Sequence, residues 1–560
     1  MEFTGAQLIV KLLERQGIEI IWGVPGGAIL PLYDALYHSP IRHILARHEQ
    51  GAGFMAQGMA RTSGRAAVCT ATSGPGATNL MTALADAKLD SIPIVAITGQ
   101  VPRSMIGTDA FQEVDTYGIT LPITKHNFLV QDAISLLTII PEAFRIAESG
   151  RPGPVVIDVP KDVQTQTVCF DRWPEPGAPD QAPWCDDGRI IRMARMIHQA
   201  RKPLFYVGGG IIAAGAADLV RRVALENDAP VVSTLMGLGA MAHDDPLFLG
   251  MLGMHGTPRA NQAMSRADLI IALGIRFNDR TTGKLETFCR DAAIIHVDVD
   301  ESEINKLKNV TLGICGDVSA VLARLLPLMM PADRIGWRRE ISAIKAPGTQ
   351  RADDLDTPGH PASLIRYIGT QAPEDTIVAT DVGQHQMWTA QAYPLKHPRS
   401  LLMSGGLGTM GFGLPTAIGA AFANPGKKVV CISGDGSFLM NIQELATLAE
   451  NDLNVTILLM DNGHLGLVRQ QQELFYDNHV FASKFASSLD FTAIARGFGI
   501  RAWDAGTEGP ARPVIDQALA FKGPSLVRVP IDWEINVYPM VPPGASNLEM
   551  ILEKETCTTP

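Results

Sequence analysis

Residues 429–464 read VVCISGDGSFLMNIQELATLAENDLNVTILLMDNGH, and this stretch decides the class of fold. Residues 429–433 and 455–460 are short apolar runs without a charged side chain, and a helical pattern over 438–450 joins them. Apolar runs joined by helices are typical of parallel strands that are covered on both faces. Ligands of such a sheet gather at the carboxyl ends of its strands, so we expect Asp435 and Asn462, which follow the two runs, to lie close together.

Short apolar runs alternate with helical patterns along the rest of the chain as well. They comprise residues 66–72, 93–98, 154–159, 203–207, 269–273, 294–299 and 525–529. This alternation predicts an α/β protein with doubly wound parallel sheets. Two stretches rich in Pro, Gly and Asp, 171–188 and 346–361, are predicted linkers and give three domains. The predicted divisions are an N-terminal domain over 1–165, a central domain over 187–345, a C-terminal domain over 360–540 and a tail over 541–560.

The two outer domains share local patterns. The turn Ser73-Gly-Pro-Gly76 and the turn Ser433-Gly-Asp-Gly436 each follow an apolar run and open a helix. Gly-Pro pairs at 153–154 and 523–524 each lead a valine-rich run that ends in proline. These echoes favour an old duplication, although chance similarity of two strand-turn-helix units is the alternative.

Composition narrows the class of partner. The 560 residues carry a formal net charge of -11 and contain no long basic run, which does not favour nucleic acid or an anionic membrane as partner. The seven cysteines form no C-x-x-C pair, and the histidines show no zinc-type spacing. No signal peptide pattern and no apolar stretch of the ~20 residues needed to cross a bilayer is present. We therefore expect a cytoplasmic protein that acts on a small molecule.

The turn around Asp435 and Asn462 indicates a particular kind of ligand. A carboxylate and an amide oxygen are hard ligands of the type that Mg²⁺ takes together with water and phosphate oxygens. Glycines at a helix start let backbone N–H groups approach a phosphate. The alternative is a glycine turn in which Asp435 only caps its helix. The Asn-Gly pair that ends the very next run favours a metal-bridged diphosphate.

This pattern resembles the thiamine diphosphate enzymes, whose motif is Gly-Asp-Gly, about two dozen residues, and Asn-Asn. The first Asn of the pair is Asp461 here, which is a departure, while the metal-ligating second position is Asn462. The resemblance implies that Asp435, Asn462 and the main-chain oxygen of His464 hold Mg²⁺. The residues implied to bind thiamine diphosphate are Gly383, Gln384, His385, Gly408, Met410, Gly434, Asp435, Gly436, Ser437, Asn462 and His464, with Glu49.

Glu49 meets a second demand of this cofactor, which is a carboxylic acid facing the pyrimidine N1′. It follows a predicted strand over 41–46 and begins a small-residue helix over 51–60 that can pack closely on a ring. Burial among apolar groups would raise the pKa of Glu49 and let it donate a proton. The alternative is a glutamate at a helix start that only complements the helix dipole. Together with the diphosphate motif, Glu49 is the predicted catalytic residue.

The likeness is closer to one group of these enzymes, the catalytic subunits of acetohydroxyacid synthase, also called acetolactate synthase. It extends from about residue 3 to residue 544 and includes VPGGA at 24–28, SGPGATN at 73–79, IGTDAFQEV at 106–114 and SGGLGTMG at 404–411. The resemblance implies decarboxylation of pyruvate and transfer of the two-carbon fragment to a second 2-oxoacid. Pyruvate as acceptor gives 2-acetolactate and 2-oxobutanoate gives 2-aceto-2-hydroxybutanoate, in branched-chain amino-acid biosynthesis.

The acceptor carries a carboxylate, which a guanidinium can bind through two hydrogen bonds. The resemblance implies Arg276 for this role, and a solvated arginine at a sheet end is the alternative. The other implied substrate residues are Gly27, Ala28, Phe111, Gln112, Lys161 and Gln471. Many relatives have Trp at the last position, and its absence should weaken a preference for the longer 2-oxobutanoate.

The central domain contains no G-x-G-x-x-G, so its pattern alone favours a plain structural domain. The family resemblance implies instead a Rossmann-like domain that binds FAD without redox chemistry. The implied residues are Arg151, Gly208, Gly209, Gly210, Met254, His255, Gly256, Gly274, Arg276, Asp298 and Asp317.

The assembly follows from the same resemblance. Glu49 and Asp435 lie in different outer domains, and in this family each site joins such domains from two chains. A homodimer or homotetramer and a small regulatory subunit are therefore expected. Two other functions stay open at this point: a flavin-dependent oxidase or simple decarboxylase on the same scaffold, and a catalytically silent nucleotide-binding or scaffold protein.

Overall fold

The computed structural model describes residues 1–182, 185–344 and 360–553. Three six-stranded sheets, all with parallel pairing, account for the strands of the described chain apart from one small antiparallel pair, Glu2–Thr4 with Thr167–Cys169. Helices cover the sheets, and the prediction of an α/β protein with doubly wound sheets is confirmed. Within the described residues, none of the helices combines the length and the apolar character needed to cross a membrane.

The N-terminal sheet carries the fully buried Trp22 on the strand next to one of its edge strands. Its strands, in spatial order, are Arg42–Leu45, Ile20–Gly23, Ala67–Ala71, Ile94–Gln100, Val155–Pro160 and His126–Leu129. Its helices are Gly5–Arg15, Leu30–Leu36, Glu49–Ser63, Pro75–Asn79, Met81–Asp90, Thr116–Thr120, Leu136–Glu148 and Lys161–Thr165. The first helix begins at a capping box, in which Thr4 accepts from the N–H of Gln7 and the Gln7 side chain accepts from the N–H of Thr4.

The central sheet is also six-stranded. The strands in spatial order are Phe248–Met251, Val231–Ser233, Pro203–Val207, Leu269–Leu273, Ala293–Asp298 and Leu312–Cys315. The helices are Asp187–Gln199, Gly209–Ala213, Ala217–Glu226, Pro258–Arg266, Asp279–Thr282, Val318–Leu325 and Ile335–Ser342. The first of these begins inside the predicted linker 171–188, since Asp186 caps it by accepting from the N–H of Arg189.

The C-terminal sheet carries the stretch 429–464 at its centre. Its strands in spatial order are Leu401–Leu402, Ile377–Thr380, Val429–Gly434, Val455–Asp461, Ser525–Pro530 and Arg501–Asp504. Its helices are Pro361–Gln371, Gln384–Ala392, Gly413–Ala423, Asp435–Phe438, Leu445–Glu450, Gly466–Phe475, Phe491–Gly497 and Ala511–Ala520. Most of the predicted linker 346–361 and the end of the predicted tail lie outside the described residues, and the domain divisions stay predictions.

Strand order relates the three sheets to one another. When the strands of each sheet are numbered along the chain, both outer sheets have the order 2-1-3-4-6-5. This shared order extends the local echoes noted in the sequence to the whole topology of the two domains. The central sheet has the order 3-2-1-4-5-6, which is that of dinucleotide-binding α/β domains.

The prediction of one continuous helix over 438–450 is wrong. The chain instead forms the short helix Asp435–Phe438, a 3₁₀ segment Leu439–Glu444 and the helix Leu445–Glu450, with a non-helical φ of -136° at Asn441. The Asn441 amide donates to the carbonyl of Gly411 at 2.7 Å and to the Gln50 side chain at 3.1 Å. These contacts with distant segments outweigh the local helical pattern.

The two outer domains share one core through a pair of closely packed helices, Glu49–Ser63 and Gly413–Ala423. Glycines make the close approach possible. A Cβ on Gly419 would lie 1.9 Å from the Met55 carbonyl oxygen, and one on Gly58 would lie 2.2 Å from that of Thr416. Backbone therefore contacts backbone across the domain boundary.

Gly419→Ala is expected to destabilise the chain although alanine is the better helix former. The added methyl group must push the two helices apart, which costs about 1–3 kcal/mol by the usual scale of overpacking. Urea unfolding of the purified variant measures this loss. Gly336→Ala, at a helical position where a Cβ would meet nothing within 4 Å, is the matched control and should be neutral or stabilising. Equal stability of both variants would contradict this interpretation of the helix pair.

Candidate active site

One cavity opens at the carboxyl edge of the C-terminal sheet. The strands Val429–Gly434 and Val455–Asp461 pair in parallel, so that the turns following them lie side by side. The residues lining the cavity are Val382, Gly383, Gln384, His385, Trp388, Gly408, Met410, Gly434, Asp435, Gly436, Ser437, Met460, Asn462, His464, Leu465, Gly466, Leu467, Val468, Gln471 and Ile531. The structure thus brings together every residue of the C-terminal domain that was predicted to bind thiamine diphosphate.

Asp435 joins the two turns. Its Oδ2 accepts from the N–H of Gly463 at 2.8 Å, and the residue that precedes the short helix is Gly434, which provides no side-chain cap. The alternative in which Asp435 only caps its own helix is therefore not what the structure shows. Burial, together with the nearby carboxylate of Asp461, raises the pKa of Asp435 to about 7. Asp461 is in turn bound by the Nε of Arg528 at 2.7 Å.

The donor set fits a hard divalent cation. Asn462 Oδ1 accepts from the N–H of His464 at 3.0 Å, and its Nδ2 donates to Gln384 Oε1 at 3.3 Å, which fixes the direction of the amide oxygen. Among the described residues no three His, Cys, Asp or Glu side chains group together as a metal centre. Mg²⁺ does not require such a group, because it commonly takes one or two carboxylates and completes its shell with water and phosphate oxygens. A cation here would also offset the electrostatic repulsion between the carboxylates of Asp435 and Asp461.

Two buried polar atoms in the cavity wall also fit a bound ligand. His385 Nε2 and Trp388 Nε1 have no hydrogen-bond partner among the described residues. Buried polar atoms are rarely left unpaired in a complete structure. Burial lowers the pKa of His385 to about 3, so its ring is neutral at neutral pH; because its one N–H donates to the Asp381 backbone, Nε2 is left as an acceptor. The cavity thus offers an N–H donor that is unpaired within the described chain, Trp388 Nε1, and a cation site of the kind that a magnesium diphosphate requires.

Glu49 lies outside this cavity within the single chain. It is the first residue of the helix Glu49–Ser63, and its Oε2 accepts from the Asn79 amide at 2.9 Å. The preceding His48 caps the helix, since its Nδ1 accepts from the N–H of Gln50 at 3.1 Å. No residue of the N-terminal domain lines the cavity. One chain therefore does not bring Glu49 and Asp435 into the same cavity.

The predicted substrate residues are spread over several loops, and only Gln471 lines the cavity. Phe111 is 87% exposed, and Gln112 beside it has a left-handed φ of 60°. Lys161 is exposed at the start of a short helix. In the N-terminal domain, the N–H of Ala28 donates to Thr72 at 3.3 Å. Gly27 next to it has open space where a Cβ would lie.

Arg276 follows the central strand Leu269–Leu273 and is half-buried. Burial lowers its pKa, and the neighbouring Arg151 lowers it further. Among the described residues no carboxylate lies within the ion-pair distance of 4 Å of its guanidinium. An arginine without a partner anion can receive one from a ligand.

The residues predicted to bind FAD lie partly at the point where the strand order of the central sheet reverses. Gly208–Gly210 follow the first strand of this sheet and Gly274 follows the fourth, which is its neighbour. The N–H of Gly210 donates to the Gly274 carbonyl at 3.1 Å, and a Cβ on Gly210 would lie 2.6 Å from the Cα of Gly274. Crevices at such reversal points bind dinucleotides in α/β proteins.

The remaining residues of that set have identifiable contacts. Burial raises the pKa of Asp298, at the end of the strand Ala293–Asp298, to about 6. Arg151 donates to Glu303 at 2.9 Å. Asp317 accepts from the N–H of Ala320 as a helix cap, which is a structural role. Contacts of the segment 254–256 are the N–H of Met254 donating to the Arg280 carbonyl, His255 Nδ1 lying 3.0 Å from the Pro539 oxygen, and the N–H of Gly256 donating to Gly253.

Sequence reasoning missed several residues of the cavity wall. Asp381 lies next to the wall residue Val382 without lining the cavity itself; it follows the strand Ile377–Thr380 and accepts from the N–H groups of Val382 and Gly411. Its position directly after an apolar run was a usable signal, the same as that of Asp435. Trp388 had no such signal, because it lies within the helix Gln384–Ala392. Ile531 directly follows the strand Ser525–Pro530, but an apolar side chain there does not indicate a binding site.

Three regions of the chain match descriptions of one protein family. Residues 3–119 match the thiamine pyrophosphate enzyme N-terminal TPP binding domain, residues 190–325 the central domain, and residues 381–529 the C-terminal TPP binding domain. The chain therefore belongs to the thiamine pyrophosphate enzymes, whose cofactor is also called thiamine diphosphate.

Full-length relatives place the chain within that family. It is 54% identical to the acetolactate synthase isozyme 1 large subunit of Escherichia coli, with 98% of each chain covered. It is 46% identical to the isozyme 2 large subunit of the same organism, with 98% of this chain and 99% of the relative covered. It is 44% identical to a probable acetolactate synthase large subunit of Methanocaldococcus jannaschii, over 96% and 94%. The chain belongs to the acetolactate synthase large subunits.

Proposed function

We infer that this chain is the catalytic chain of an acetolactate synthase. It decarboxylates pyruvate and joins the two-carbon fragment to a second 2-oxoacid, giving 2-acetolactate from pyruvate or 2-aceto-2-hydroxybutanoate from 2-oxobutanoate. The observation that carries this proposal is the gathering of the predicted cofactor residues in one cavity at the sheet edge, in a chain that matches acetolactate synthase large subunits over nearly its whole length.

Within the cavity, different residues would contact the two ends of the cofactor. Asp435, Asn462 and the His464 main-chain oxygen would hold Mg²⁺, and the N–H groups at the start of the helix Asp435–Phe438 would meet the diphosphate. Thiamine diphosphate supplies the electron sink that lets a 2-oxoacid lose carbon dioxide. Apolar side chains of the wall, such as Met410, exclude water from the reacting atoms.

The catalytic acid would come from a second copy of the chain. In each chain, Glu49 of the N-terminal domain accepts a hydrogen bond from Asn79. The cavity around Asp435 is lined by no described residue of the N-terminal domain of the same chain. A symmetric dimer in which Glu49 of the partner subunit closes the cavity would complete both sites at once. A tetramer of two such dimers is compatible with this arrangement. The relatives are named large subunits, which supports a smaller regulatory partner.

We also propose that the central domain binds FAD at the reversal point beside Gly208 and Gly274. Support comes from the strand order of the sheet and from Arg276, which has no ion-pair partner in the described chain and could meet a phosphate or a substrate carboxylate. No oxidation or reduction occurs in the proposed reaction, so FAD would have a structural role.

The purified chain, first freed of cofactors, tests the proposal directly. With thiamine diphosphate, Mg²⁺ and FAD restored, it should consume pyruvate and form acetolactate, and the flavin absorbance should stay that of the oxidised form. Chelation of Mg²⁺ should abolish the activity. Oxygen uptake would indicate an oxidase instead, and release of acetaldehyde a simple decarboxylase. A chain that consumes no pyruvate would contradict the proposal.

With Gln471 in the cavity wall, we expect only a weak preference for 2-oxobutanoate over pyruvate as the second substrate. Gln471 lines the cavity, where we expect its side chain to contact the acceptor, and an indole in its place would reward the extra methylene of 2-oxobutanoate by about 1–3 kcal/mol. Gln471→Trp is therefore expected to raise the ratio of 2-aceto-2-hydroxybutanoate to acetolactate about 10-fold. The ratio is measured with both 2-oxoacids at equal concentration. A wild-type ratio that already strongly favours 2-aceto-2-hydroxybutanoate would contradict the assignment.

A further inference from the structure

A buried cluster of charged side chains lies between the N-terminal and C-terminal domains. Arg61 Nη2 donates to Asp90 Oδ2 at 2.8 Å and to Asp86 Oδ2 at 3.3 Å. The three side chains are 5%, 0% and 0% exposed, respectively. The guanidinium also lies over the ring of Phe412, 5.0 Å from its centre. Two carboxylates are thus buried with one cation, which is costly unless further donors satisfy them.

The further donors come from a single loop of the C-terminal domain, residues 404–411. The N–H groups of Gly405 and Gly406 donate to Asp90 at 3.0 and 2.7 Å. The hydroxyls of Ser404 and Thr409 donate to Asp86 Oδ1, the latter at 3.1 Å. Within the loop, the N–H of Thr409 donates to the Ser404 hydroxyl at 2.8 Å.

The same loop forms part of the cofactor cavity. Gly408 and Met410 line it, on either side of Thr409. At the far end of the loop, the N–H of Gly411 donates to Asp381 Oδ1 at 2.8 Å. The loop is therefore held at one end by Asp381 of its own domain and along its length by two acids of the N-terminal domain. Buried charged acids that lose their hydrogen-bond donors destabilise the folded chain. The loop that supplies these donors therefore has little freedom to move.

We propose that Asp86 is a positioning residue for the cofactor, which fixes Ser404 and Thr409 and through them holds Gly408 and Met410 against bound thiamine diphosphate. This inference rests on the proposed function, because it assigns the cavity to that cofactor. It gives the N-terminal domain a second role beside that of Glu49. A residue that served only to join the domains would affect the stability of the chain without changing the affinity of the cavity.

Two variants and one control separate these roles. Asp86→Asn removes the charge, and Thr409→Val removes one hydroxyl at nearly constant shape and leaves the ion pairs intact. Thr456→Val is the control, because Thr456 is also buried and donates to Ala518 or Ser525, but lies at the opposite end of its strand from the cavity. The readouts are the Kd of thiamine diphosphate with Mg²⁺ for the full-length apoenzyme, and hydrogen exchange of the backbone amides at 404–411.

We expect both variants to weaken cofactor binding about 10-fold or more, as the loss of one buried hydrogen bond would. Amide exchange at Gly405 and Gly406 should become faster, while Thr456→Val should change neither readout. If Asp86→Asn does not fold, the result for Thr409→Val decides. Wild-type affinity together with wild-type exchange in Thr409→Val would overturn the inference. A wild-type chain that itself binds no thiamine diphosphate would instead overturn the proposed function, and the inference with it.

Discussion

Glu49→Gln is expected to lower kcat for acetolactate formation about 100-fold or more, the usual scale for loss of a general acid or base. Glutamine keeps the shape of the side chain and can still bind Asn79, but it cannot hand a proton to the cofactor. The Kd for thiamine diphosphate should change much less, because the diphosphate and metal contacts lie in the C-terminal domain. Steady-state kinetics with pyruvate and a cofactor titration measure the two effects.

Glu142→Gln is the matched control for this substitution. Glu142 is a glutamate of the same domain, and its contact is an ion pair with Arg145 at the protein surface. Its replacement should leave kcat unchanged. Undiminished acetolactate formation by Glu49→Gln would contradict the mechanism, whatever the affinity for the cofactor.

Asp435→Ala should have the largest effect on binding. It removes the carboxylate that would hold Mg²⁺ and also the acceptor for the N–H of Gly463. Partners that only orient metal ligands already contribute 10–100-fold, so loss of a ligand should weaken Mg²⁺-dependent cofactor binding about 100-fold or more. Titration of the apoenzyme with thiamine diphosphate at several Mg²⁺ concentrations measures this effect.

The control for Asp435→Ala is Asp516→Asn. Asp516 is an exposed acid of the same domain that accepts from the Tyr367 hydroxyl. Cofactor affinity should stay at the wild-type value in this control. Strong metal-dependent binding by Asp435→Ala would mean that the cation is held elsewhere.

The strands were predictable because each is a local feature of the sequence. A parallel strand buried on both faces must be apolar at successive positions, and the runs 203–207 and 269–273 coincide with Pro203–Val207 and Leu269–Leu273. The cofactor cavity was predictable for a related reason. Asp435 and Asn462 each follow such a strand directly, so the pairing of the two strands brings them together.

Features that depend on distant contacts could not be read from the sequence. The helix break at Asn441 results from contacts with Gly411 and with Gln50, which is 391 positions away in the chain. The contact of Asp86 with Ser404 spans 318 positions. In local sequence pattern, neither Asp86 nor Asn441 differs from an ordinary surface residue of a helix. Only the packing of the two outer domains on each other shows which residues they contact.

The proposed two-chain site is tested most directly by mixing two inactive variants. Glu49→Gln and Asp435→Ala chains, each inactive alone, are dissociated, combined in equal amounts and reassembled. If Glu49 of one chain serves Asp435 of another, half of the random dimers are mixed, each mixed dimer has one intact site, and about a quarter of wild-type activity returns. If each chain uses its own Glu49 and Asp435, every site carries a defect, and the mixture stays as inactive as its parts.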